Sequence, residues 1–113
     1  MKIREELEKI QDILISENPG FPKKKCSLAS KVVFEKLGFL PVSGFVLTSN
    51  GVEEHAWNVD SKGKIIDLTF YQFDSNAPKI IHSYLEDVCQ DKGYFVNKKR
   101  TDFLRELISS YDC

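Results

Sequence analysis

The chain has 113 residues, is 42% hydrophobic and 29% charged, and carries a formal net charge of −1, the length and balance of one globular domain around a single core. The near-neutral charge gives no global pull toward nucleic acid or an anionic membrane, and no apolar run approaches the roughly 18 residues that span a bilayer. Three widely spaced cysteines argue against a disulfide framework, and Met1-Lys2-Ile3-Arg4-Glu5-Glu6 lacks the apolar stretch of a secretory signal; a reducing cytoplasm is therefore expected, or export as an effector without a cleavable signal.

Ile3, Leu7, Ile10 and Leu14, with Ile13 beside them, recur every three or four residues and predict a helix over residues 2–16. Arg4, Glu5, Glu6, Glu8 and Lys9 fill its other faces. So narrow a stripe packs on a core, or equally takes a partner. Asn18-Pro19-Gly20 ends it, because proline cannot continue the ladder. Lys23-Lys24-Lys25 then leads into Cys26. Leu28, Ala29, Val32, Val33 and Leu37 give a second helical period closed by Gly38. Cys26 thus sits in or just before a first turn. Unpaired backbone N–H groups, the positive end of the helix dipole and nearby lysines all favour a thiolate there. The alternatives are a small buried apolar residue at Cys26 and a solvated lysine loop.

Pro41-Val42-Ser43-Gly44 opens a β-rich middle. Phe45–Thr48 is expected as a strand, Ser49-Asn50-Gly51 as a turn and Val52–Asp60 as the returning strand. Lys79–Tyr84 is expected as a further strand, Leu85–Gln90 as a helical turn and Tyr94–Val96 as a short edge strand. Asn97-Lys98-Lys99-Arg100 is expected as a solvated loop. A last helix over Thr101–Tyr111 would show Leu104, Leu107, Ile108 and Tyr111 on its apolar side.

The residues that carry chemistry lie on a central hairpin. Asp60-Ser61-Lys62-Gly63 suits a type I turn followed by a glycine at positive φ, giving a three-residue loop with a bulge. That register sets Asp60 opposite Lys64, Trp57 opposite Asp67 and His55 opposite Thr69. Alternation then puts His55, Trp57, Asp67 and Thr69 on one face. A carboxylate so placed holds an imidazole, and Cys26 supplies a nucleophile. Trp57 either walls this site or fills the core.

Cys-x-x-Ala-Ser (Cys26 to Ser30), His-Ala-Trp-Asn (His55 to Asn58) and Asp-Leu-Thr-x-x-Gln-Phe (Asp67 to Phe73) follow one another in this order. The order resembles the Cys–His–Asp core of the transglutaminase-like branch of the papain-like superfamily. It also resembles small bacterial proteins of that branch and the leader-peptidase domains of lasso-peptide maturation systems. The resemblance covers roughly residues 18–84. It implies a single α+β domain with a cysteine-bearing helix packed on an antiparallel sheet, Cys26 as nucleophile, His55 as base and acid, and Asp67 as orienting group. Many relatives place a glutamine a few residues before the cysteine to complete the oxyanion hole. Here that segment is Asn18-Pro19-Gly20-Phe21-Pro22-Lys23. The hole would draw on the backbone N–H of Cys26 and a further donor, with Asn18 as a candidate.

The chemistry these residues would perform is acyl transfer on an amide, as peptidase, amidase, deamidase or transglutaminase, with a glutamine side chain or a peptide amide as substrate and no cofactor. The rival is a catalytically inactive module of the same fold that binds a peptide or partner protein. Another is a subunit whose N-terminal helix completes a larger enzyme. Cys26, His55, His82, Cys89 and Cys113 lack the close paired spacing of zinc ligands. His82, Cys89 and Cys113 read as structural or surface residues.

Overall fold

Leu7, Ile10 and Leu14 of the predicted stripe are buried along α1 (Ile3–Glu17), and Ile3 is partly buried against the same cluster. The structure is a computed structural model that describes residues 2–48, 50–84 and 94–111, the last five by their backbone alone. Ile13, at the stripe's margin, is 52% exposed. Gln11 is buried among the apolar residues, and its Nε2 donates to the carbonyls of Leu68 (3.0 Å) and Lys79 (2.6 Å). Two backbone acceptors are thereby satisfied in the interior. The helix ends as expected at Asn18.

In α2 (Cys26–Leu37), Ala29 and Val33 face the α1 stripe, and Gly38 closes the helix with its N–H on the Phe34 carbonyl. Five strands follow: β1 (Leu40–Thr48), β2 (Gly51–Val59), β3 (Ile65–Asp67), β4 (Ile81–Ser83) and β5 (Tyr94–Val96). They form one antiparallel sheet in the order β4-β3-β2-β1-β5. A last helix, α3 (Lys98–Tyr111), packs back on β1. The domain is a single compact α+β unit. Among the described residues no helix is long and apolar enough to cross a membrane.

The sheet separates two apolar clusters. On one face Leu7, Ile10, Leu14, Ala29 and Val33 of the helices meet Ile66, Leu68 and Ile80. On the other, Val42, Val46, Trp57, Ile65 and Tyr94 are covered by Phe70, Ala77 and Ile81. Burying a large apolar side chain contributes about 1.5–3 kcal/mol each, so both faces hold the sheet.

The central hairpin turns as its sequence dictates. Asp60 N–H donates to Lys64 O and Gly63 N–H to Asp60 O, each at 3.0 Å, with Gly63 at φ 82°. Asp60 Oδ1 accepts from the N–H groups of Lys62 and Lys64. The ladder beyond the turn is shorter than expected. Its last pair is Asn58 with Ile66, so Trp57–Asp67 and His55–Thr69 are not strand pairs. Asp67 pairs with Ile81 of β4 instead, and Thr69 leaves the extended region (φ −131°, ψ −2°) to start the 3-10 turn Phe70–Gln72.

Three further expectations are corrected. Strand β1 starts at Leu40, not Phe45. Ser43 has its N–H and carbonyl bonded to Thr101 and Asn97, away from β2. Pro41 shares that parity, so its missing N–H costs the β1–β2 ladder nothing. Lys98, Lys99 and Arg100 form the first turn of α3, not a loop: Asn97 Oδ1 accepts the Arg100 N–H at 3.0 Å and caps the helix. Strand β4 covers only Ile81–Ser83 of the expected Lys79–Tyr84. The expected turn at Leu85–Gln90, Cys89, Cys113 and the side chains of Leu107, Ile108 and Tyr111 lie outside the described residues.

Candidate active site

Cys26 is the first residue of α2, and no side chain caps that helix end. Small residues let the helix lie close to β2. Ser30, almost fully buried, donates its hydroxyl to the Trp57 carbonyl at 3.0 Å. Asn58 Nδ2 donates to the carbonyls of Ser30 (3.0 Å) and Phe39 (2.9 Å). Two buried hydrogen bonds thus fix the cysteine-bearing helix against the histidine-bearing strand, and the third ties that strand to the segment just past the helix.

The helix lies on the face of β2 that shows Ala56 and Asn58. His55 alternates with them and projects from the opposite face. Thiol and imidazole still meet, because Cys26 stands at the edge of β2 beyond its last pair with β3. Ser43, opposite Ala56, turns its hydrogen bonds toward α3. Ala56 N–H therefore points to the other edge of β2, toward the Cys26 sulfur, whose charged form it favours.

His55 Nε2 lies 2.6 Å from Asp67 Oδ2, both side chains fully enclosed. Asp67 is saturated with donors. Tyr94 gives its hydroxyl to Oδ2 at 2.8 Å, and Thr69 gives its N–H (2.9 Å) and its hydroxyl (3.3 Å) to Oδ1. A carboxylate takes no proton to donate, so Nε2 carries the hydrogen of this contact. Nδ1 is left for the thiol. It meets no atom in full hydrogen-bond geometry, yet sulfur and ring interact closely enough to shift each other's ionisation.

Aromatic rings seal the imidazole. Phe73 meets it edge-on at 5.1 Å between centroids, Phe70 at 6.1 Å, and Trp57 stacks at 6.0 Å. Trp57 is both wall and core, being buried and in contact with Tyr94. In so dry a setting charge interactions strengthen. Burial pushes the His55 pKa down, but the Asp67 carboxylate, its hydrogen bond and the Cys26 sulfur outweigh this and raise it to about 9. Burial pushes the Asp67 carboxyl up; the His55 charge and the hydrogen bonds from His55, the Thr69 N–H and Tyr94 bring it below its ordinary value. Burial also pushes the Cys26 thiol up and Asp67 repels its charge, yet the neighbouring His55 ring and its charge, with the Ala56 backbone, leave it lowered. Both shifts favour the thiolate–imidazolium form of the pair.

The structure brings Cys26, His55 and Asp67 together. It does not bring Asn18, whose Nδ2 is bonded to the Leu14 carbonyl at 2.9 Å. His82 stands apart, tying β4 to the hairpin loop through Asp60 Oδ2 at 2.9 Å. Tyr94 has a part in the site that sequence reasoning missed. Its register on an edge strand was legible, but not that β5 crosses β1 near Gly44. A Cβ at Gly44 would lie 1.9 Å from the Phe95 carbonyl oxygen, so only glycine lets the strand in.

Against protein-family models, curated proteins and solved structures, the chain finds no match.

Proposed function

We propose that this protein is a cysteine-nucleophile acyl-transfer enzyme acting on an amide, of peptidase, deamidase or transglutaminase type, built on a transglutaminase-like variant of the papain-like core. The observation that carries the reading is the relay itself: sulfur beside a buried imidazole whose far nitrogen is held at 2.6 Å by a carboxylate. The Cys26 thiolate attacks the amide carbon, and the carbonyl electron pair moves to oxygen. His55 gives its Nδ1 proton to the departing nitrogen as the C–N bond breaks. The thioester is then opened by water, for hydrolysis, or by an amine, for transfer, with His55 taking the proton. Asp67 holds the ring and its charge throughout. The Cys26 N–H, in a first turn and with no backbone partner among the described residues, is one donor for the oxyanion.

One observation favours the second reading, a peptide-binding module without turnover: the side-chain donor expected for the oxyanion, Asn18, is engaged at the end of α1. Alkylation by iodoacetamide separates the two. An enzyme labels Cys26 at pH 7 at least tenfold faster than N-acetylcysteine, and His55→Ala abolishes the advantage. Labelling at the rate of the free thiol rejects the nucleophile.

A further inference from the structure

A cavity of about 300 Å³ opens between the start of α2, β1 and α3, lined by Ser27, the residue after Cys26, and reaching Leu104, which packs against Cys26. Ser27 and Ser43 line one side, Lys99, Arg100 and Phe103 the other, and Leu104, which packs with Cys26 and Ala56, lies at its inner end. No carboxylate is among these residues. The Ser43 hydroxyl makes no hydrogen bond among the described residues, and the Phe103 ring is 61% exposed. The cavity is also well held. Thr101, buried on α3, accepts the Ser43 N–H and returns its own hydroxyl to the Ser43 carbonyl, both at 2.9 Å.

Its charge is unusual for a protein of net charge −1. Two basic runs, Lys23-Lys24-Lys25 and Lys98-Lys99-Arg100, hold six of the sixteen lysines and arginines. The first runs directly into Cys26, and the second supplies a wall of the cavity. Lys98 is paired with Asp102 and Arg100 with Glu54, each at 3.1 Å and largely exposed. Lys99 has no ion-pair partner among the described residues, nor do Lys23, Lys24 and Lys25. Cations at the positive end of a helix work against folding; here one of them, unpaired, borders a cavity next to the nucleophile.

We infer that this cavity is the recognition subsite for an acyl substrate that carries a carboxylate close to the reacting amide, an acidic peptide segment. The proposal rests on Cys26 being the nucleophile. Lys99 supplies the charge, Arg100 joins it by leaving its exposed pair with Glu54, the serine hydroxyls donate, and Phe103 covers the substrate's apolar stem. A surface-exposed ion pair of this kind holds its partners weakly, so Arg100 is not locked away.

Two probes with the same reactive group test it: the α-amides of N-bromoacetyl-glutamate and N-bromoacetyl-glutamine, alike in shape and differing by one charge. The ratio of their rates at Cys26 cancels any change in the thiol's own reactivity. The glutamate probe is expected to react about fivefold faster relative to its partner than it does with N-acetylcysteine. Lys99→Gln lowers that ratio about threefold, and Lys9→Gln on α1, an equal change in net charge, leaves it in place. A ratio that Lys99→Gln does not move, or that both variants lower alike, overturns the subsite. Both probes reacting no faster than with the free thiol would reject the nucleophile instead, and the ratio would still report on the cavity.

Discussion

Tyr94 donates its hydroxyl to the same oxygen of Asp67 that faces His55 Nε2. One carboxylate oxygen therefore serves two donors from opposite ends of the sheet's middle, β2 and the edge strand β5. Tyr94→Phe removes one bond to a buried charge, which costs about 1.5–3 kcal/mol. Urea unfolding should register that loss with an unchanged m-value. The same variant leaves Asp67 less firmly ionised, so iodoacetamide labelling of Cys26 at pH 7 should slow severalfold, not vanish.

Gly44→Ala should act through the same contact. The added methyl meets the Phe95 carbonyl, so β5 must shift and carry Tyr94 with it. Overpacking of this kind costs about 1–3 kcal/mol. A double-mutant cycle with Tyr94→Phe should show labelling losses that do not add, because both changes remove one interaction. Additive losses would place the effect of Gly44 elsewhere.

Asp67→Asn removes the charge that holds His55 up near pH 9. With burial then dominant, the imidazole falls below its ordinary value of 6.5 and the thiol rises. The acid limb of the labelling–pH profile should move upward, and the rate at pH 7 should fall at least tenfold. An unmoved profile would mean that Asp67 does not govern the pair.

The pH dependence of stability should flatten where the lowered Cys26 thiol has ionised and His55, at about 9, still keeps its proton. In that window the folded pair holds one proton, on His55. The unfolded chain also holds one, on the thiol, whose ordinary pKa is 9.0. Equal proton numbers give zero slope. Cys26→Ala unmasks the histidine: its folded pKa stays raised by Asp67, so its stabilisation is full below 6.5 and is lost as pH rises. The slope approaches about −1.4 kcal/mol per pH unit in the lower part of the window. Thermal melts across the window would detect it; parallel curves for the two proteins would contradict the thiolate–imidazolium pair.

Asn58→Ala leaves the Ser30 and Phe39 carbonyls without their buried donor. A loss of about 1–2 kcal/mol follows from the two lost bonds, since the Ser30 carbonyl keeps its partner within the helix. Because one of these bonds fixes α2 against β2, labelling of Cys26 should slow in the folded variant as well.

What could be read from the sequence was local. Gly63 and Asp60 fix the turn, the turn fixes the register, and alternation puts His55 and Asp67 on one face. The start of α2 at Cys26 follows from its apolar period and the proline before it. The rest depends on partners far along the chain. Tyr94 reaches Asp67 only because β5 pairs with β1, and nothing near Tyr94 dictates that. Nothing around Gln11 in the sequence signals that two carbonyls from another layer take its amide. The first turn of α3 was hidden because its cations oppose the helix dipole; the Asn97 cap was the available signal. Pro41 masked the start of β1 because its parity depends on where Ser43 sends its hydrogen bonds.

Cys26 and His55 meet at the edge of β2, the thiol from the helix layer and the imidazole from the strand's opposite face. Their spacing is therefore gauged by the thickness of one β-backbone, a dimension common to all polypeptides. Connections elsewhere in the chain are free to lengthen or diverge without retuning the pair.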